Sequence, residues 1–344
     1  MEIREIPKTT PLPGVIKTIG EGCSLVASKA YLMLAPLILD IFLLFGPKLR
    51  IDEYLRPFFE ALSNQLLSTA GNGGVRQIEL LTDLMQQALS TINLFGFLQT
   101  YPIGVNVIFS SSGNATPAGQ AAVIQLTSTL GILALIALFM ILGVFLGTVY
   151  FSITAAAAKE NGKTDLKIFG TQLLNTILFY IVLIILIAIL AVPFSCILSL
   201  VFMSAPVIYQ IMLFLMTIFV CWIMIPLFFI PHGIFVNGFD IVQAIKESIK
   251  MSAWCSPLTI RFILLSLLLS FGLDMIWTIP EQSSWLILFS IFGHAFVTTA
   301  LLASSFIFYR ELYQWQKENR SFLEWRKANL RFKQLIKKEP ETND

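Results

Sequence analysis

The sequence predicts an all-α bundle of helices crossing a lipid bilayer, and three observations carry that prediction. Of 344 residues, 56% are hydrophobic and 13% charged, with 29 phenylalanines and a mean hydropathy of +0.78, outside the usual balance of a water-soluble domain. The apolar residues are gathered into runs close to the ~20 residues that a helix needs to cross the hydrocarbon. Lys and Arg, finally, collect on one side of an alternating topology.

Six spans are expected. Residues 30–47 hold the first and 122–309 the other five, at about 127–155, 173–202, 207–230, 258–279 and 285–308. Residues 1–29 come before them. Acidic residues and prolines precede any apolar run there, which argues against a cleavable signal peptide. Val15, Ile16, Ile19, Cys23 and Val26 recur at helical spacing and predict an amphipathic interfacial helix over 13–28. Gly46-Pro47 ends the first span.

Residues 48–121 read as a mostly helical loop. Leu55, Phe58, Phe59, Leu62 and Leu66 share one helical face; after Gly71-Asn72-Gly73-Gly74, a second face carries Ile78, Leu81, Met85, Ala88 and Ile92. The apolar run 94–109 contains Gln99, Pro102 and Asn106, so it is expected to be interfacial or re-entrant rather than spanning. Ser110 to Gly119 reads as a linker. The links 203–206 and 280–284 are short enough to make hairpins of the spans they join.

Charge sets the orientation. With both chain ends cytoplasmic, nineteen Lys and Arg lie inside and four outside, all four in the first loop. The expected location is a cell membrane, the inner one in a bacterium. The tail 310–344 carries nine basic and three acidic residues between Arg310 and Lys338. It predicts contact with anionic lipid, at about 1 kcal/mol per basic residue near the surface. Nucleic acid is not an expected partner.

From Gly238 to Met251, Ile241, Val242, Ile245 and Ile249 form one helical face, opposite Lys246, Glu247 and Lys250. Asp240, with Gln243 three residues on, resembles an N-cap. The stretch is too polar to cross a bilayer and predicts an interfacial helix that includes Gly238, Asp240, Ala244 and Ser248. Residues 163–174 repeat the arrangement with Leu166, Phe169 and Leu173. The chain therefore reads either as three units (13–157, 163–230 and 239–309) or as helical apolar sequence that is self-similar by chance.

Residues 206–316 carry a resemblance. "FFIPHGIFVNGFDIVQAIKESIKMS", a span, a short turn and a last span closing on "ALLASSFIFYRELYQW" resemble the six-helix membrane domain attached to some bacterial glycerophosphodiester phosphodiesterases. Gly238, Ala244, Ser248 and Tyr309-Arg310 are the matching positions, and "LAPLILDIFLLFGPKL" at 34–49 is similar to the first span of free-standing relatives. The resemblance implies a fold and no phosphodiesterase activity, because the hydrolase chemistry of the fused proteins belongs to a separate soluble barrel that no segment here could form. Residues 51–121 fall outside it.

Three ionisable residues sit inside predicted spans: Asp40, Asp274 and His294. Such groups are expensive in hydrocarbon and point to function by default. All three fall in the outer half of their spans. They are expected either to form a protonatable polar site or to be satisfied one by one within the bundle. Gly143 and Gly147 form a GxxxG, with Gly131 three turns earlier, and predict close helix packing. Cys23, Cys196, Cys221 and Cys255 match no metal-site spacing and read as packing residues; His232, between Pro231 and Gly233, reads as a turn residue. No metal, cofactor or catalytic motif is expected. The leading expectation is a non-enzymatic scaffold, regulator or lipid-organising protein with an unidentified protein partner. The alternative is a small-solute or ion transporter using Asp40, Asp274 and His294, and a lipid-modifying enzyme ranks last.

Overall fold

The computed structural model describes residues 11–69, 75–159, 166–204, 206–322 and 325. Five of its helices are long and apolar enough to cross a membrane: α5 (Thr129–Ala157), α6 (Leu166–Ser204), α7 (Pro206–His232), α8 (Ile241–Trp277) and α9 (Ile287–Glu318). A sixth span is counted if α1 (Val15–Ser28) and the segment Ala30–Phe45, which ends in α2 (Leu34–Phe45), are taken together across their 96° bend. The protein is an all-α, membrane-embedded helical bundle. Most of the basic tail, 326–344, lies outside the described residues.

Two expected interfacial helices are not separate elements. The stretch with Asp240, Ala244 and Ser248 is the first third of α8, and residues 166–174 open α6. Gly238, at φ 69°, takes the left-handed conformation that ends the preceding π-helical turn Gly233–Asn237. Asp240 then caps α8 by accepting the Gln243 N–H at 2.8 Å. From there α8 runs unbroken, with Pro257 accommodated inside it.

The face of α8 buried deepest is a different one from the Ile face, of which Ile241 and Ile245 pack at the edge of the core. Ala244, Ser248, Met251, Ser252 and Cys255 face inward, while Val242 and Ile249 are exposed. Small side chains let α7 approach. The Ser248 hydroxyl donates to the Pro226 carbonyl and that of Ser252 to Ile225 at 3.3 Å. The three-unit reading fails at the same point, since α1 meets its successor at 96° whereas α6 and α8 run straight on.

α1 packs on α9 through Thr18, Ile19, Gly22 and Val26; Ile16, expected on that face, is exposed. A Cβ at Gly22 would overlap the Ser304 hydroxyl and lie 2.6 Å from the Ala300 carbonyl oxygen, so the contact requires glycine.

Between α2 and α5 the chain is only partly helical. β1 (Lys48–Arg50) pairs in parallel with β4 (Val123–Gln125), and β2 (Ala115–Thr116) with β3 (Gly119–Gln120), short strands that the linker reading did not include. α3 (Asp52–Thr69) and α4 (Val75–Thr91) pack on each other, with a 2.9 Å Ser63–Thr82 hydroxyl bond between them. Phe58, Leu62, Leu66, Leu81 and Met85 remain exposed. The glycine turn 71–74 lies outside the described residues.

Residues 94–109 form a loop that re-enters the helical bundle. A backbone bridge joins Ile92 to Ser111, so the segment leaves and returns at one place. Between those points Leu94, Leu98, Ile103, Val105, Val107 and Phe109 are buried in the bundle core. The segment lies along α5, where a Cβ at Gly143 would be 2.6 Å from the Leu98 oxygen and one at Gly147 2.6 Å from the Ile103 oxygen. Those glycines are about 21 and 27 Å along α5 from Thr129, at 1.5 Å per residue. The GxxxG therefore admits an irregular chain, not a neighbouring helix. Gly131 takes no part in packing; its N–H meets the Ser128 N-cap hydroxyl, and a Cβ there would find nothing nearer than 3.5 Å.

Cationic side chains close the C-termini of several helices, where carbonyls lack partners and the dipole is negative. Lys48 donates to the carbonyls of Leu43 and, at 3.2 Å, Leu44 at the end of α2. At the end of α5, Lys29 reaches the Ala157 oxygen (3.3 Å) and Arg310 the Ala158 oxygen (2.6 Å). Lys159 donates to the Phe235 oxygen in the turn after α7 at 3.2 Å. Burial, and then the neighbouring Arg50 guanidinium, push the Lys48 ammonium down to about 8, so it still carries its charge at neutral pH.

The glycine contacts give a paired prediction. Gly147→Ala should destabilise the purified protein by about 1–3 kcal/mol, the usual cost of overpacking. Gly131→Ala should be neutral or stabilising by up to about 1 kcal/mol, as for Gly to Ala in an open helical position. Thermal unfolding of both variants in one detergent checks this.

Candidate intramembrane site

The bundle brings Asp40, Asp274 and His294 together from α2, α8 and α9. His294 Nδ1 lies 3.3 Å from Asp40 Oδ2, and Nε2 lies 3.6 Å from Asp274 Oδ1. One imidazole thus stands between two carboxylates, with each nitrogen facing one of them. Asp40 is fully buried and His294 nearly so, whereas the Asp274 side chain is 32% exposed.

Each residue is positioned by its surroundings. Asp40 Oδ1 accepts the backbone N–H groups of Ile108 at 2.8 Å and Phe109 at 3.2 Å on the returning limb of the re-entrant segment. The carboxylate therefore holds both the histidine and the loop. Ser270, one turn before Asp274 on α8, donates to Asp274 Oδ2 at 3.5 Å. Asp274 Oδ1 has no hydrogen-bond partner among the described residues. Behind His294, the Trp277 ring occupies the space that a side chain at Gly293 would fill.

A cavity of about 160 Å³ adjoins the triad. The tip of the re-entrant segment contributes Tyr101 and Asn106, α5 contributes Tyr150 and Phe151, α8 Ser270, and α9 Thr298. Ser270 belongs to both places, so one hydroxyl separates the cavity from the Asp274 carboxylate. The tip is fixed by polar contacts. Tyr180 of α6 accepts the Ile103 N–H (3.2 Å) and donates to the Ile103 oxygen (2.6 Å), and Gln99 and Tyr101 both donate to Asn106 Oδ1.

Sequence reasoning named the three ionisable residues but not Tyr101, Ser270, Thr298 or Tyr180. Part of the signal was present: Ser270 and Thr298 stand one helical turn from Asp274 and His294, and Asn106 interrupts an apolar run. His232 is elsewhere, buried between the Phe228 oxygen and the Ser305 hydroxyl, each at 2.9 Å. Among the described residues no three His, Cys, Asp or Glu side chains are arranged to hold a metal ion, and the four cysteines are unpaired.

Asp40→Ala removes the acceptor of two buried N–H groups, so a stability loss of about 1–3 kcal/mol per group is expected. Asp40→Asn keeps an oxygen for them and should lose less. Thermal unfolding of the two variants, compared directly, measures the difference.

Comparison with known protein families, curated proteins and solved structures returns no match for this chain.

Proposed function

We propose that this protein moves a small solute across the membrane in exchange for protons, with Asp40, His294 and Asp274 as the titratable site. One observation carries the reading: an acid–histidine–acid set, with Asp40 and His294 buried, shares Ser270 with a small cavity walled in part by the irregular 94–109 segment, which in this reading lies at membrane depth. Irregular chain is tolerated at that depth only where it is buried in protein or lines a cavity. Ionisable groups held there mark proton and substrate pathways. The resemblance of residues 206–316 to a membrane domain adds an expectation of fold and no hydrolase chemistry.

In this reading both chain ends are cytoplasmic and the 48–121 segment is outside, on the distribution of Lys and Arg. Ser111→Cys, in a cysteine-free background, should react with a membrane-impermeant maleimide in intact cells, and a cysteine added after Asp344 only after lysis. The reverse pattern would invert the topology.

Transport is tested in proteoliposomes on a solid-supported membrane, by applying pH steps with a panel of small solutes. Wild-type protein should give currents driven by the pH gradient. Asp274→Asn and His294→Gln should reduce them at least tenfold, while Cys221→Ser, on the exposed face of α7, should not. Currents equal in wild type and Asp274→Asn would remove the triad from the mechanism.

A second reading, a scaffold or regulator for a protein partner, is favoured by the apolar residues that α3 and α4 leave uncovered. Anionic lipid at the basic tail is compatible with either.

A further inference from the structure

We propose that the cavity beside the triad binds a small organic ammonium ion, and that its binding expels a proton from Asp40, His294 and Asp274. The inference rests on the transport reading and names its substrate class.

Size excludes the smallest ligands. The cavity holds about 160 Å³, against roughly 10–15 Å³ for a single water by the same kind of measure. A bare metal ion would leave most of it empty, whereas a molecule of a few heavy atoms fits.

Charge narrows the choice further. No Lys, Arg or His lines the cavity, and the nearest charge is Asp274, one hydroxyl away through Ser270. An anion would face that carboxylate with nothing to offset the repulsion. A neutral molecule gains nothing from that nearby carboxylate. An ammonium ion supplies the opposite charge. The lining also suits it, since it includes the aromatic residues Tyr101, Tyr150 and Phe151 and the hydroxyl residues Ser270 and Thr298. Cation–π contact is worth about 0.5–2 kcal/mol as the site loses water.

Coupling follows from competition for one carboxylate. The titratable groups around the cavity are Asp274 on α8, His294 on α9, Asp40 on α2, Tyr101 on the re-entrant segment, Tyr150 on α5 and Tyr180 on α6. Phenols keep their protons at neutral pH. A cation arriving at Asp274 therefore opposes the proton held between that residue, His294 and Asp40, because two positive charges in a low-dielectric pocket repel. One cation enters and one proton leaves, so charge balances and no oxidant or further reactant is needed. Affinity must then rise with pH, up to tenfold per unit while the triad is protonated.

The test uses the full chain in detergent, with ethylammonium and tetramethylammonium as probes and tert-butanol as the neutral analogue of the latter. Thermal unfolding reports binding, and a pH indicator in lightly buffered solution reports released protons. At least one ammonium ion should raise the Tm and release about one proton per chain, and tert-butanol should do neither. Asp274→Asn should weaken binding at least tenfold. Ser270→Phe, which fills the cavity and removes no charge, should abolish it and serves if Asp274→Asn does not fold. The proposal is overturned if neither ammonium ion binds, if tert-butanol binds as well, if Asp274→Asn binds like wild type, or if binding releases no proton. Proton-driven currents that depend on Asp274, found together with no ammonium binding, would refute the ligand class and leave the transport reading standing.

Discussion

Non-helical backbone packed inside a helical bundle needs hydrogen-bond partners for the groups it buries, and side chains of this bundle supply several of them. The re-entrant segment buries Leu94, Leu98, Ile103, Val105, Val107 and Phe109 in the bundle core, and their peptide groups go in with them. Asp40 takes two of its N–H groups and Tyr180 takes both polar groups of Ile103. Gly143 and Gly147 provide the room, since any side chain on that face of α5 would collide with the segment's carbonyls. Leaving a buried amide unpaired costs on the order of 1–3 kcal/mol, so a carboxylate that satisfies two of them is a structural necessity before it is anything else.

The same demand explains where several cations went. Hydropathy and the positive-inside rule treat Lys and Arg as markers of side, but Lys29, Lys48, Lys159 and Arg310 each end on the carbonyls of a helix terminus. Three of them lie at the end of the bundle that holds α1 and the last turns of α9, so topology and capping are served by the same residues. Lys48 is the exception by position and shows the cost most clearly, because it is fully buried beside Arg50 and forms no ion pair with a carboxylate among the described residues. Carbonyls of Leu43 and Leu44 and the Ser112 hydroxyl replace water around its ammonium.

What could be read in the sequence was whatever depends on local composition. The apolar runs located α5 to α9, the polar residues inside 94–109 marked it as unable to span, and three intramembrane ionisable groups were singled out one by one. Their meeting was not legible. Asp40 and His294 are 254 residues apart, and only the crossing of α2 over α9 joins them. The amphipathic stretch at 241–251 misled for a related reason. Its Ile face gave a strong periodic signal, yet only Ile241 and Ile245 of it reach the core, and the face buried deepest carries Ala244, Ser248, Met251 and Cys255, where two serine hydroxyls reach the carbonyls of α7. Periodicity reports hydrophobicity, and helix contact inside a bilayer is set by size.

The two carboxylates of the triad are chemically alike, yet their surroundings give them different work. Asp40 has no exposed surface; one oxygen is held by Ile108 and Phe109 and the other faces His294. A ligand cannot reach it without breaking the loop contact. Asp274 is partly exposed, near a helix end, with one oxygen short of a partner and the other touched by a cavity-lining serine. In the transport reading, exchange with the cavity therefore takes place at Asp274, and His294 carries the change in charge inward to a residue that cannot move freely. In the same reading, because Asp40 also grips the re-entrant segment, a proton gained or lost at the exposed carboxylate is felt by the chain that forms the cavity wall. In that reading the acid that anchors the loop and the acid that meets the solute are linked by a single imidazole, so that one protonation event acts on both binding and shape.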